Sequence, residues 1–159
     1  MTLLFPILTY AVVMIGANLS AATFGPSITP VNAFLLIGLD LALRDFLHMR
    51  LRPYQMGALI AATGALTYFL NPAAGSIAVA SACAFSSAAV VDWITFSRLR
   101  GSWLFRSNGS NIAGAAVDSL LFPTIAFGAV MPSIVVLQFI AKVAGGSIWT
   151  FLIHKGLKK

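Results

Sequence analysis

Apolar residues run through this chain in six long blocks, with polar residues gathered in short clusters between them. The blocks are 3–19, 31–47, 54–70, 76–96, 111–130 and 133–153. Each has about the 17–25 residues that a helix needs to cross a hydrocarbon layer. The alternating pattern of barrel strands is absent, and backbone groups in lipid must be satisfied within their own segment, so each block predicts a helix. The third block is short, so it is expected to stand nearly upright or to thin the bilayer locally. The connections are too short for a soluble domain, and no linker divides the chain. Residues 1–159 therefore read as a single domain, an all-α membrane protein built as a bundle of six transmembrane helices.

Composition agrees: 59% of residues are hydrophobic and 9% are charged, against about 25% charged in soluble domains. The formal charge of +6 does not point to nucleic acid, because the basic residues sit in a few short segments between blocks. Arg50 and Arg52 follow the second block, Arg98, Arg100 and Arg106 the fourth, and Lys155, Lys158 and Lys159 the sixth. The segments after the first, third and fifth blocks carry none. The positive-inside rule then puts both termini in the cytoplasm of a multi-pass protein of the cell (inner) membrane. Met1-Thr2 lacks the basic start of a signal peptide, so the first block is kept as a helix although Ser20-Ala21-Ala22 resembles a cleavage site. The single cysteine, Cys83, excludes an internal disulfide and is expected to be a small core residue.

The charges inside the blocks change the picture most. Asp40, Arg44, Asp92, Asp118 and Lys142 fall within the hydrocarbon layer, where an ionised side chain costs about 2.5–3.5 kcal/mol on a lenient scale. At a rise of about 1.5 Å per residue, Asp40, Asp118 and Lys142 share the midplane. Arg44 and Asp92 lie one turn nearer the cytoplasm. Asp40 and Arg44 share a helix face at i,i+4, so Arg44 is expected to be neutralised by Asp40, Asp92 or both, and Lys142 by Asp118. Charges serving only as glue between helices return little stability, about 0.6 kcal/mol on average; intramembrane ionisable residues more often line a pathway or a site. Asp45, one turn from Arg50-Leu51-Arg52, is expected at the interface. Trp103 and Trp149 suit the interfacial belt, whereas Trp93, beside Asp92, is placed to stack on a planar ligand. Ala17-x-x-x-Ala21 and Ala61-x-x-x-Ala65 allow close helix approach.

Several chemistries are excluded. His48 and His154 lie at helix ends, and no Cys, His and carboxylate set has metal-ligand spacing, so no metal is expected. No phosphate-binding loop is present, and no intramembrane histidine accompanies Ser110 and Asp118 as a hydrolase would need. An enzyme is not expected, nor is a cofactor. The short echo between Val91-Asp92-Trp93-Ile94-Thr95-Phe96 and Val117-Asp118-Ser119-Leu120-Leu121-Phe122 is too brief for a repeat.

The ordered set Asn18 near the end of the first helix, Asp40-Leu41-x-x-Arg44, Asp92-x-x-x-Phe96-x-Arg98-Leu99-Arg100, Ser110 with Asp118-x-x-x-Phe122, and Lys142-Val143 resembles the queuosine-precursor transporter family, also called the vitamin-uptake-transporter (VUT) family. The resemblance spans nearly the whole chain. Members often carry a glutamine three residues before the aspartate of the fourth helix, where this chain has Ala89. The resemblance implies import of 7-cyano-7-deazaguanine or a related 7-deazaguanine base. The guanine-like edge offers adjacent N–H donors that one carboxylate can accept. Asp118 and then Asp40 are the first candidates, with Lys142 or Arg44 as donors and Trp93 or Phe122 as stacking rings. Asp92, Ser110 and Asn18 complete the expected substrate-binding set. Partners are the bilayer and the planar base, with a homo-oligomer or a separate ATPase module as further candidates. Two other classes remain: a substrate-binding membrane subunit of an ATP-driven vitamin-type system, and a non-transporting scaffold.

Overall fold

The computed structural model describes residues 3–157. Met1, Thr2, Lys158 and Lys159, and the side chains of His48, Gly156 and Leu157, lie outside the described residues. So do the expectations made for Met1-Thr2, for the imidazole of His48 and for the basic pair Lys158-Lys159. Among the described residues there is no strand. Six helical rods follow one another: α1 (Leu4–Phe24), a composite second rod, α4 (Pro53–Leu70), α5 (Gly75–Arg98), α6 (Trp103–Phe127) and α7 (Pro132–Leu157). The composite rod runs through a tight turn at Pro26–Ile28, α2 (Thr29–Asn32), a π-helical turn at Ala33–Ile37 and α3 (Gly38–His48). Five rods are long and apolar enough to cross a membrane. The exception is α4, whose 18 residues reach about 27 Å and include Pro53, Tyr54 and Gln55 at the start.

Local chemistry sets the ends. Gly25 closes α1 with φ of 70°, and its N–H bonds the carbonyl of Ala21; a left-handed turn of this kind favours glycine. The first block therefore extends five residues past Leu19. Pro53 opens α4, where a missing N–H costs nothing, and the N–H of Arg52 donates to Gln55 Oε1 at 2.8 Å. Ser102 caps α6 by accepting from the N–H of Phe105 at 3.3 Å. This helix begins eight residues before the expected 111, and Arg106 is helical rather than part of a loop. Hydropathy hid the first two turns because Arg106 through Asn111 is polar, yet Ser107, Ser110 and Asn111 are buried. They face the interior of the bundle, not lipid.

Packing is inverted relative to a soluble protein. Phe5, Leu8, Val12, Phe69, Val79, Ile140 and Phe151 point outward, while Asp40, Arg44, Asp92, Gln138 and Lys142 are buried. An apolar outer face suits a chain whose solvent is hydrocarbon. Cys83 is also on the outside, contrary to the expected core position: its neighbours Ala80, Ala84 and Phe85 take the inward face of α5. The helices come together through small residues. A Cβ on Gly145 of α7 would collide with the carbonyl oxygen of Phe34 in the π-helical turn, and one on Gly38 would lie 2.7 Å from the Gly145 carbonyl carbon. The second rod and α7 thus meet backbone to backbone. A cluster of Tyr10, Met14, Leu43, Phe46, Leu47, Met56 and Phe85 closes the other side of the second rod against α1, α4 and α5.

Candidate functional site

The buried polar groups form two connected regions. The first is a cleft between α1, the second rod, α5, α6 and α7. Its walls include Asn18, Thr29, Asn32, Phe85, Asp118, Phe122, Gln138 and Lys142, and it holds about 430 Å³ of space between atoms, mouth included. It is narrow, with full-width room for roughly two water molecules, so a bicyclic ligand needs the walls to part.

Lys142 organises this cleft. Its Nζ lies 2.7 Å from Asp118 Oδ2 and donates to Gln138 Oε1 at 3.0 Å and Ser119 Oγ at 3.2 Å. Gln138 in turn donates through Nε2 to Thr29 Oγ1 at 2.8 Å. Asn32 donates to Ser20 Oγ at 2.8 Å and to the Ala17 carbonyl at 3.3 Å, which ties α2 to α1. Pro123 follows in α6, and having no N–H it cannot donate to the Ser119 carbonyl one turn earlier. The wall thus offers a half-neutralised carboxylate, an ammonium, amides and two aromatic rings. These are the elements that orient a planar polar ligand in an otherwise apolar pocket.

The second region lies toward the end of the bundle that carries Arg50, Arg98 and Arg100. Arg44 is fully buried, with Nη2 3.6 Å from Asp92 Oδ1 and its guanidinium 5.0 Å from the centre of the Phe85 ring. Asp92 lies within ion-pair distance of it and Asp40 forms no ion pair with it, and no hydrogen bond joins the guanidinium to either carboxylate. Of the two expected partners, then, the structure brings one within reach. Gly114 makes room for the pair, since a Cβ there would lie 3.3 Å from Asp92 Cβ and 3.4 Å from Arg44 Nη2.

Asp45 departs from the interfacial position expected for it. It is only 4% exposed and accepts from the hydroxyl of Ser107. The early start of α6, invisible to hydropathy, is what covers it. With Asp92, Met49, Trp93, Phe96, Ser97 and Arg106 it lines an inner cavity of about 550 Å³, mouth included. Arg106 donates from both Nε and Nη2 to the Phe96 carbonyl, at 3.1 and 3.0 Å.

Of the expected substrate-binding residues, Asp118, Lys142, Phe122 and Asn18 line the outer cleft. Asp40 and Arg44 lie buried behind it, and Asp92 and Trp93 line the inner cavity. Ser110 donates to the Ser107 carbonyl at 3.1 Å and lines neither. Trp93 is 56% exposed and also flanks a groove on the outside of α4 and α5, so it is not in position to stack on a ligand in the outer cleft; Phe85, overlooked in the sequence, is. Thr29, Asn32, Ser119 and Gln138 were also missed. Gln138 did carry a signal, standing four residues before Lys142 in an apolar helix. Trp103 stacks on His154, ring centres 5.5 Å apart, joining the start of α6 to the end of α7.

Fold and cleft together define a class: a multi-pass helical membrane protein with a polar site enclosed by its helices. The chain belongs to the family described as putative vitamin uptake transporters, whose family model matches residues 1–154. No curated protein and no solved structure matches it.

Proposed function

We propose that the protein is a carrier that imports a queuosine precursor, 7-cyano-7-deazaguanine or a related 7-deazaguanine base, through the outer cleft. The observation that carries the reading is the Lys142–Asp118 pair in the cleft wall, with Asn18, Asn32 and Gln138 around it and Phe85 and Phe122 on its apolar sides. One Asp118 oxygen is held by Lys142, and the carboxylate retains 15% exposure. Its other oxygen is then available to accept from the N–H edge of a guanine-like base, while the amides serve the remaining donors and acceptors. The aromatic rings stack on the base once the walls part. Site and ligand near the middle of the helices suit alternating access.

Orientation supports import. Arg50, Arg52, Arg98, Arg100 and Lys155 gather where α3, α5 and α7 end and α6 begins, which the positive-inside rule makes the cytoplasmic face of the membrane. The inner cavity then faces the cytoplasm and the outer cleft the opposite side. The test is uptake of labelled 7-deazaguanine bases by cells unable to make them, with and without this chain. Equal uptake in both would end the proposal.

A further inference from the structure

All four acidic residues of the chain are inside the bundle, and the bases buried with them are Arg44 and Lys142. Four carboxylates against two bases leave two negative charges unmatched. Arg44 is spoken for by Asp92 and Lys142 by Asp118, so the unmatched pair is Asp40 and Asp45. They are 0% and 4% exposed. Asp40 has no hydrogen-bond partner on either oxygen. A buried carboxylate with no base paired to it is so costly that the group takes up a proton instead.

The neighbours leave that conclusion in place. Around Asp40 stand Tyr10 of α1, Arg44 and Asp45 of its own rod, Asp118 of α6 and Lys142 of α7. Around Asp45 stand Arg44, Asp92 of α5, and Ser107 and Asn111 of α6. Arg106 shares its cavity, but it hydrogen-bonds the Phe96 carbonyl and lies over the Phe96 ring rather than pairing with Asp45. Among the described residues no three Asp, His or Cys groups converge as a metal site, and a proton neutralises a buried carboxylate without any further ligand. Position completes the argument. Asp45 opens on the inner cavity, and Asp40, five residues earlier on the same rod, lies toward the Lys142–Asp118 pair.

We infer that Asp40 and Asp45 form a proton-binding site, one proton on each carboxylate, that communicates with the inner cavity through Asp45, and that the Asp45 proton is the coupling ion. The coupling rests on the carrier reading above; the proton site does not. In the inward step the Asp45 O–H bond breaks, its proton passes to water in the inner cavity, and the carboxylate is left accepting from Ser107.

Two experiments test this. Infrared difference spectra of the purified protein in lipid nanodiscs, taken across a pH step, read the carbonyl stretch of protonated carboxylic acids. The wild type should show a titrating band that loses about half its area in Asp45→Asn and about half in Asp40→Asn. Asp45→Glu should retain the band at a shifted frequency, which guards against an Asn variant that fails to fold. No titrating band in the wild type, or a band indifferent to both Asn variants, overturns the site. In proteoliposomes, an imposed pH gradient, acid on the cleft side, should drive several-fold accumulation of labelled 7-cyano-7-deazaguanine, and a sodium gradient should not. Asp45→Asn should lose accumulation yet keep counterflow exchange. Accumulation driven by sodium alone overturns the coupling. Absence of both accumulation and counterflow in the wild type overturns the carrier reading and with it the coupling, while the infrared band still decides the site.

Discussion

Lys142 Nζ sits 2.7 Å from Asp118 Oδ2, which locks α7 to α6 at the wall of the outer cleft. Lys142 is 2% exposed, and breaking a buried pair leaves the remaining charge uncompensated, at a cost of about 3–5 kcal/mol. The loss here falls at the low end, because Asp118 keeps some contact with water. Lys142→Met should therefore lower the thermal midpoint of the purified protein, and adding Asp118→Asn should recover part of the loss. A double variant no more stable than Lys142→Met would show that the two groups do not compensate each other.

The Arg44–Asp92 pair is the more buried of the two, at 1% and 2% exposure. Arg44→Ala leaves Asp92 as a third buried carboxylate without a base, so accumulation in the membrane should fall severalfold together with transport. Gly114→Ala should act in the same direction but more weakly, since a Cβ 3.3–3.4 Å from both partners asks only for a small shift. Immunoblots of membrane fractions measure both. Normal abundance of Arg44→Ala would mean that the guanidinium does not hold the bundle together.

The crossing of α7 with the π-helical turn predicts a sharp contrast between glycines. Gly145 faces the Phe34 carbonyl with no space for a Cβ, whereas nothing lies within 4 Å of a Cβ on Gly64. Gly145→Ala should destabilise by about 1–3 kcal/mol through overpacking. Gly64→Ala should be neutral or gain up to about 1 kcal/mol from helix propensity. Thermal unfolding in detergent separates them, and equal midpoints would contradict the close approach.

All six rods were legible as apolar blocks, because lipid demands runs of about 20 apolar residues, and five of them are long and apolar enough to cross a membrane. What stayed hidden has one cause. Hydropathy reads a helix by its average, while the interior of this bundle is polar. The first turns of α6 were lost because Ser107, Ser110 and Asn111 turn inward, and Asp45, placed at the interface by its nearness to Arg50 and Arg52, is covered by those turns. The π-helical turn left no mark either, as nothing in Ala33–Ile37 distinguishes it from an ordinary apolar helix. Asp118 and Lys142 were paired correctly because both sat at the middle of adjacent blocks. Arg44 was harder: spacing offered Asp40, depth offered Asp92, and packing chose Asp92.

Topology is open to direct test. The turns after α4 and after α5 should lie on opposite sides of the membrane, with the arginine-bearing one cytoplasmic. Reporters inserted after Asn71 and after Gly101 should give opposite signals. The same side for both would mean that α5 does not cross, and that the inner cavity is not cytoplasmic.

The last prediction concerns recognition. If Asp118 accepts the N–H edge of the base, Asp118→Asn replaces an acceptor-only group with one that also donates. One of the two contacts then sets donor against donor. Losing a hydrogen bond to a charged group costs about 1.5–3 kcal/mol, so affinity should fall by roughly 10- to 150-fold. Asn keeps the size of the side chain, and its amide oxygen can still accept from Lys142, so the cleft should persist better than in Asp118→Leu. Calorimetry with 7-cyano-7-deazaguanine, on wild type and variant, measures the change. A purine of matched size without the exocyclic amine serves as control and should bind the wild type weakly. Equal affinities for wild type and variant would remove Asp118 from recognition. A control base that binds as well as the ligand would show that the cleft reads something other than the guanine edge.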